Sequence, residues 1–180
     1  NGVTTIGKYA FSSCSKLKSL DIPETVNSIG EYAFSSCTLL ESVNIPKGIE
    51  TIESYVFSSC SKLTSIEIPE TVKNIGSHAF NRCILVTSFK IPDGITTINS
   101  YTFCACYKLE TIIIPESVTS FGDYAFSSCS KLASLKIHDG ITSIGNGAFF
   151  SCTALTSIDI PDSVTFLGDN LCNKCTKLKS

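Results

Sequence analysis

Apolar residues recur in this chain with an unvarying spacing of 23 residues. Cysteine is the clearest marker of the period, at Cys14, Cys37, Cys60, Cys83, Cys106, Cys129, Cys152 and Cys175. A phenylalanine column keeps the same spacing, at Phe11, Phe34, Phe57, Phe80, Phe103, Phe126 and Phe149. A column that keeps its chemistry in every copy indicates one buried environment, reproduced in each turn of a solenoid whose turns pack on their neighbours.

Each repeat contains one short segment of alternating character. In the first full repeat, Leu20 and Ile22 fall on one face of an extended chain, and Ser19 and Asp21 fall on the other. Pro23 follows directly, and proline cannot donate a hydrogen bond to a strand ladder. The pattern therefore predicts one half-buried strand per repeat, and stacked repeats would pair these strands in parallel.

The rest of each repeat has a different spacing. Val26, Ile29, Ala33, Phe34 and Cys37 recur at offsets close to those of one helical face. We therefore expect short helical or 3₁₀ turns on the convex side, opposite a concave parallel sheet. The predicted fold class is an α/β solenoid.

A longer period of 46 residues overlies the first. Segments such as Glu24-Thr25-Val26 alternate with segments such as Lys47-Gly48-Ile49. A glycine that follows Pro-x or His-x suits a tight turn with a positive φ. We expect that conformation at Gly48, Gly94 and Gly140.

Composition and charge exclude several classes of partner. The net charge is −2, and Lys and Arg do not cluster, so the chain has no electrostatic footprint for nucleic acid. No stretch approaches the roughly 20 apolar residues of a membrane span, so no membrane insertion is expected in this segment. Hydrophobic residues make up 43% of the chain, which suits a packed core.

The pattern L-x-x-L-x-I-P-x-x-V-x-x-I-G-x-x-A-F-x-x-C, legible from Leu17 to Cys37, resembles the BspA-like (Treponema-type) leucine-rich repeat. The resemblance covers essentially the whole chain. It implies a right-handed superhelix in a horseshoe arc, with residues 1–180 as a single domain of about seven to eight repeats. Since neither end shows a polar capping repeat, we expect a fragment of a longer array. Proteins of this family are typically surface or secreted proteins that are implicated in adhesion.

The outward positions of the predicted strand vary, although the columns around them hardly change. We expect this concave face to bind a protein on the host-cell surface or in the extracellular matrix, with Lys90, Ile113 and Lys136 at its centre. Relaxed solvent exposure would produce the same variation, and the alternative function is a structural spacer in a larger surface protein. The candidate partner-binding residues are Lys18, Asp21, Glu41, Asn44, Glu67, Lys90, Glu110, Ile113, Lys136 and Asp159.

Nothing in the sequence indicates an enzyme, a cofactor or a metal. His78 and His138 replace Tyr and Pro in scaffold columns, and we find no nucleophile with a base. The cysteine column is expected to hold free, buried thiols, because equivalent residues of stacked turns point the same way. The pairs Cys104/Cys106 and Cys172/Cys175 break the single-column rule, so a disulfide or a metal site is conceivable there.

Overall fold

The computed structural model describes residues 2–180, so Asn1 of the predicted domain lies outside the described residues. The chain is a parallel β-solenoid in which one 23-residue repeat forms one turn. Each strand pairs with the equivalent strand of at least one neighbouring turn, as at Thr5 with Ser28 and Ser19 with Ser42. Two parallel ladders result, on different sides of the turn.

The first ladder forms at the predicted strand positions. It contains β2 (Ser19–Leu20), β4 (Ser42–Val43), β7 (Ser88–Lys90) and β9 (Thr111–Ile113), in the pairs β2–β4 and β7–β9. The equivalent segments 65–67, 134–136 and 157–159 are not strands. The expected parallel strands are therefore present, but the ladder is interrupted. We call this surface, including the three unpaired segments, the strand face.

The second ladder lies where helical turns were expected. It comprises β1 (Thr5–Ile6), β3 (Ser28–Ile29), β5 (Thr51–Ile52), β6 (Asn74–Ile75), β8 (Thr97–Ile98), β10 (Ser120–Phe121), β11 (Ser143–Ile144) and β12 (Phe166–Leu167). The hydrogen-bonded sets are β1–β3, β5–β6 and β8–β10–β11–β12. In every strand of this ladder except β12, the apolar residue, such as Ile29, is buried in the core. Both residues of β12 are exposed.

The α/β class and the convex helical turns are wrong for this chain, since residues 2–180 contain no helix. After the second strand, each repeat continues as successive β-turns, such as Ser12 N–H to Tyr9 C=O at 3.0 Å. The residues of the Tyr9 column have φ of 54° to 63°, and those of the Ser13 column have φ of 58° to 65°. A left-handed residue at every fourth position interrupts any α-helix. No helix of the described residues is long and apolar enough to cross a membrane.

These β-turns bond to the next turn of the solenoid. Between the second and third turns, the amides of Tyr32, Phe34 and Ser36 donate at 3.2, 3.0 and 2.7 Å. The same three columns donate across every later junction, as far as the amide of Ser151. We call these stacked β-turns, residues 9–14 and their equivalents, the turn side.

The core confirms the buried columns. Phenylalanines from Phe11 to Phe149 stack nearly parallel, with ring centroids 5.4 to 5.8 Å apart. From Cys37 onward, each cysteine of the column directs its thiol to the carbonyl of the phenylalanine in the preceding turn, at 3.0 to 3.3 Å. All ten cysteines are free thiols. The thiol column therefore supplies both apolar volume and a donor for a buried carbonyl.

The 46-residue period has a structural basis in alternate hydroxyl groups. The hydroxyls of Thr25, Thr71, Ser117 and Ser163 each donate to a carbonyl of the preceding turn, at 2.6 to 2.9 Å. The intervening repeats carry glycine at this position. Only Gly94 has the expected positive φ, of 94°, so the prediction is wrong for Gly48 and Gly140. At Gly140 the amide instead donates to His138 Nδ1 at 3.0 Å.

Candidate protein-binding surface

The strand face carries all the predicted partner-binding residues, and each of them is exposed. Alternation along the strand explains the exposure of the Asp21 column, because the inward neighbours Val43 and Phe89 are buried. Lys18, Glu41 and Glu110 are exposed because they lie just before the strands. The exposed set is Lys18, Asp21, Glu41, Asn44, Glu67, Lys90, Glu110, Ile113, Lys136 and Asp159. The register of the turns aligns these side chains in two rows that follow the solenoid axis.

The first turns of the strand face enclose an acidic depression. It has a volume of about 440 Å³, and its polar lining includes Asp21, Asn44 and Glu67. Leu20, Val43 and Ile66 form its floor. The ladder is interrupted here, because β4 does not pair with the segment that contains Ile66. The structure therefore brings three of the predicted residues together around one open groove.

The middle turns of the strand face have a different character. Lys90 and Ile113 are paired in register, and Ile113 is the most exposed of the large apolar residues, at 62%. Ile113 and Lys136 line one depression of about 240 Å³, together with His138. Lys136 and Asp159 line a neighbouring depression of about 350 Å³. The predicted centre of Lys90, Ile113 and Lys136 is thus a contiguous patch.

Lys90 is already engaged by a residue that the sequence reasoning missed. Its ammonium lies 2.6 Å from the carboxylate of Glu70, which also accepts the amide of Asp93 at 3.0 Å. The hydrogen bond from Lys90 lowers the pKa of Glu70, and the same bond raises the pKa of Lys90. Lys136 makes no ion pair with any residue of the described chain. Lys136 is therefore the cation of the patch with the greater freedom to meet a partner.

Glu116 and His138 were also missed, although both line the patch. His138 is 5% exposed, and its Nε2 lies 3.1 Å from the carbonyl of Pro115. Its Nδ1 lies 3.1 Å from the Glu116 carboxylate and accepts the amide of Gly140. The change from Pro to His in this column was visible in the sequence, but it did not indicate which way the ring points. The structure assigns His138 to holding the loop that follows the strand.

Three predicted residues lie away from these depressions. Lys18, Glu41 and Glu110 occupy the outer row, at the beginning of the strand segment. Their turns are joined by the backbone, as where the Glu41 amide donates to the Lys18 carbonyl at 2.8 Å. They form a charged border to the strand face, and they line none of the depressions described above.

The turn side carries a second exposed pattern, an aromatic ladder. Its members stack with centroids 4.3 to 5.1 Å apart, and they are Tyr9, Tyr32, Tyr55, His78, Tyr101 and Tyr124. Burial lowers the pKa of His78. Stacked rings present mainly their edges to solvent. Residues 2–180 bring together no group of His, Cys, Asp or Glu that could hold a metal ion.

Parallel strands stacked at one repeat per turn, with an exposed strand face over invariant core columns, define a leucine-rich-repeat solenoid. The model of the BspA type leucine rich repeat region matches residues 1–88 and 78–180, with six copies. The chain therefore belongs to the BspA-type leucine-rich-repeat family.

Solved structures agree with this assignment. The chain is 30% identical to a leucine-rich repeat protein from Bacteroides ovatus, with a TM-score of 0.58. The match covers 98% of this chain and 58% of the Bacteroides ovatus protein. It is 26% identical to the Treponema pallidum leucine rich repeat protein, with a TM-score of 0.67. The match covers 99% of this chain and 72% of that protein. A leucine rich cell surface protein from Faecalibacterium prausnitzii is 25% identical, with a TM-score of 0.65. The match covers 98% of this chain and 76% of that protein. No curated protein matches the chain.

Proposed function

We propose that this chain is a non-enzymatic protein-binding segment of a cell-surface or secreted adhesin, and that its partner contacts the strand face. One observation carries the proposal. The exposed residues of this face change from turn to turn, whereas the buried columns beneath them keep their identity. A scaffold of this kind presents many side chains on one rigid surface, and repeated weak contacts gain avidity.

The patch of Lys90, Ile113 and Lys136 is the proposed centre of the contact. Ile113 supplies exposed apolar area, and Ile112 and Ile114 beside it are half-buried. Apolar residues dominate the centre of protein interfaces and charges set their specificity. A partner that places carboxylates around an apolar side chain would match the free ammonium of Lys136 and the exposed Ile113.

The surface location rests on similarity. The Faecalibacterium prausnitzii neighbour is a leucine rich cell surface protein, and repeats of the BspA type are shared with this chain. A structural spacer remains the second function, because a row of turns also separates other domains. Binding to purified proteins distinguishes the two, since a spacer needs no partner.

The test compares three proteins in saturation binding to extracellular-matrix proteins and host-cell surfaces. The first is the chain as it is, and the second carries Lys90→Glu, Ile113→Asp and Lys136→Glu. The third carries Leu39→Asp, Lys62→Glu and Lys108→Glu, exposed positions away from the strand face, with the same change in charge and residue type. We expect saturable binding that the second protein loses and the third retains. Equal binding by all three would place the site elsewhere, and no binding would favour the spacer.

A further inference from the structure

Two sets of β-turns contain a second cysteine, the set of residues 101–106 and the last complete set, which contains Cys172 and Cys175. Cys172 occupies the column that holds Phe126 and Phe149, and Cys175 occupies the cysteine column. Both side chains are half-buried and pack against the hydrophobic core. A turn that elsewhere places a thiol beside a benzene ring therefore places two thiols side by side.

The backbone holds the two cysteines at a distance that suits a disulfide. The amide of Cys175 donates to the carbonyl of Cys172 at 3.0 Å, which closes a β-turn. The first and fourth Cα atoms of a β-turn lie within about 7 Å, and disulfides need about 4.4 to 6.8 Å. The two thiols also lie close enough to shift each other's pKa. We propose that Cys172 and Cys175 form an intramolecular disulfide under oxidising conditions.

The other cysteines provide the contrast. Cys104 and Cys106 are close in sequence, but burial raises the pKa of the Cys104 thiol and the side chains of Ser127 and Asn81 lower it. The Cys106 thiol instead donates to the Phe80 carbonyl within the core, at 3.3 Å. The two thiols therefore have separate surroundings, and we expect this pair to stay reduced when Cys172 and Cys175 oxidise.

The reaction is a thiol–disulfide exchange with a small external disulfide. One protein thiolate attacks a sulfur of that disulfide and releases one thiol, and the second protein thiolate then displaces the other. The protein loses two electrons and two protons, and the external disulfide is reduced to two thiols. Burial raises the pKa of Cys172 to about 11, so the exchange is slow at neutral pH. Oxidation also removes the weak hydrogen bond from Cys175 Sγ to the Phe149 carbonyl.

Oxidised glutathione is the probe, and a protease site reports the result. The chain is incubated with oxidised glutathione at mildly alkaline pH, and the remaining thiols are then alkylated in denaturant. Trypsin cleaves after Lys174, between the two cysteines. We expect the peptide of residues 175–177 to remain linked to the peptide that ends at Lys174, and to separate on reduction. The variant Cys172→Phe restores the column residue and should give only the unlinked peptide.

Three results would overturn the proposal. Both cysteines could be recovered alkylated at every glutathione concentration, or as glutathione adducts without linked peptides. Cys104 and Cys106 could also oxidise to the same extent, which would show that position in the turn confers no preference. Circular dichroism of the oxidised chain and of Cys172→Phe confirms that both are folded.

Discussion

The turn side and the strand face differ in how the backbone joins neighbouring turns. On the turn side, amides such as those of Phe34 and Ser36 bond to the next turn, and the same columns bond at every junction. On the strand face, the ladder forms only as β2–β4 and β7–β9. The continuous side lies over the invariant phenylalanines and cysteines, and the interrupted side carries the variable residues. The backbone bonds between turns and the proposed binding surface therefore lie on different sides of the same turn.

This separation explains why the exposed residues of the strand face can change freely. A substitution at Ile113 changes a side chain that is 62% exposed, whereas Phe57 is fully buried between two stacked rings. Each turn packs only on its neighbours, so the loss of one core ring affects two junctions. Substitutions and pH changes should therefore affect the two sides to different extents.

Truncation of one side chain in each region should separate the two sides most strongly. Phe57→Ala removes a buried ring, and we expect the free energy of unfolding to fall by about 3–5 kcal/mol. Ile113→Ala should change it by less than about 0.5 kcal/mol. Urea denaturation followed by circular dichroism measures both. Similar losses in the two variants would contradict the division between the sides.

Alkaline pH should weaken the core side. Burial raises the pKa of Cys60, Cys106 and Cys152 to about 12. The unfolded chain releases these protons near pH 8.5, so the stabilisation is complete below that pH and is lost as the pH rises towards 12. We expect Tm to fall steadily above pH 8.5 in thermal scans. Replacing Cys60 with Ala should make this fall shallower, and a constant Tm from pH 8 to 11 would contradict the account.

Charge reversals on the strand face should separate two lysines that look equivalent in the sequence. Lys136→Glu removes a cation without an ion pair in the described chain, whereas Lys90→Glu removes one that Glu70 already holds. We expect Lys136→Glu to weaken partner binding several-fold more, and added salt to weaken wild-type binding. Binding isotherms at two salt concentrations check this. A larger effect from Lys90→Glu would place the centre nearer to Glu70.

The smallest effect concerns the aromatic ladder of the turn side. Burial lowers the pKa of His78, which stacks between Tyr55 and Tyr101 at 4.3 and 4.5 Å. The unfolded histidine takes up a proton near pH 6.5, so this stabilisation is complete above that pH and is lost as the pH falls. His78→Tyr restores the column, and we expect it to reduce the fall in Tm between pH 7 and 5. An unchanged pH profile would show that the ring has no such effect.

Repetition made part of this fold predictable. A column such as that of Phe34 or Cys37 indicates burial because it keeps its residue type from copy to copy. The alternation at Leu20 and Ile22 located β2. The turn side was not predictable from the same signals. Tyrosine and serine rarely adopt a positive φ, and here bonds between turns hold them in it. Gly147 and Asn170 occupy the tyrosine column in the last two turns, and both residue types suit a positive φ.

The candidate surface was only partly predictable for a related reason. The strand alternation indicated that the column of Asp21, Asn44 and Glu67 faces outward, and these residues are exposed. It carried no information on loop residues that reach back over the strand, so Glu70 and Glu116 were missed. The direction of the His138 ring depends on backbone groups of a neighbouring turn, which a single repeat does not reveal.

Amide hydrogen exchange, resolved to short peptides by mass spectrometry, tests the division between the two sides most directly. We predict that the amides of Phe57 and Ser59, which bond to the next turn, exchange only through extensive unfolding. The amides of segments 65–67 and 134–136 should exchange at least about tenfold faster, because they lie outside the strand ladders. Equal protection on both sides, or slower exchange on the strand face, would contradict the claim that the turn side holds the solenoid together.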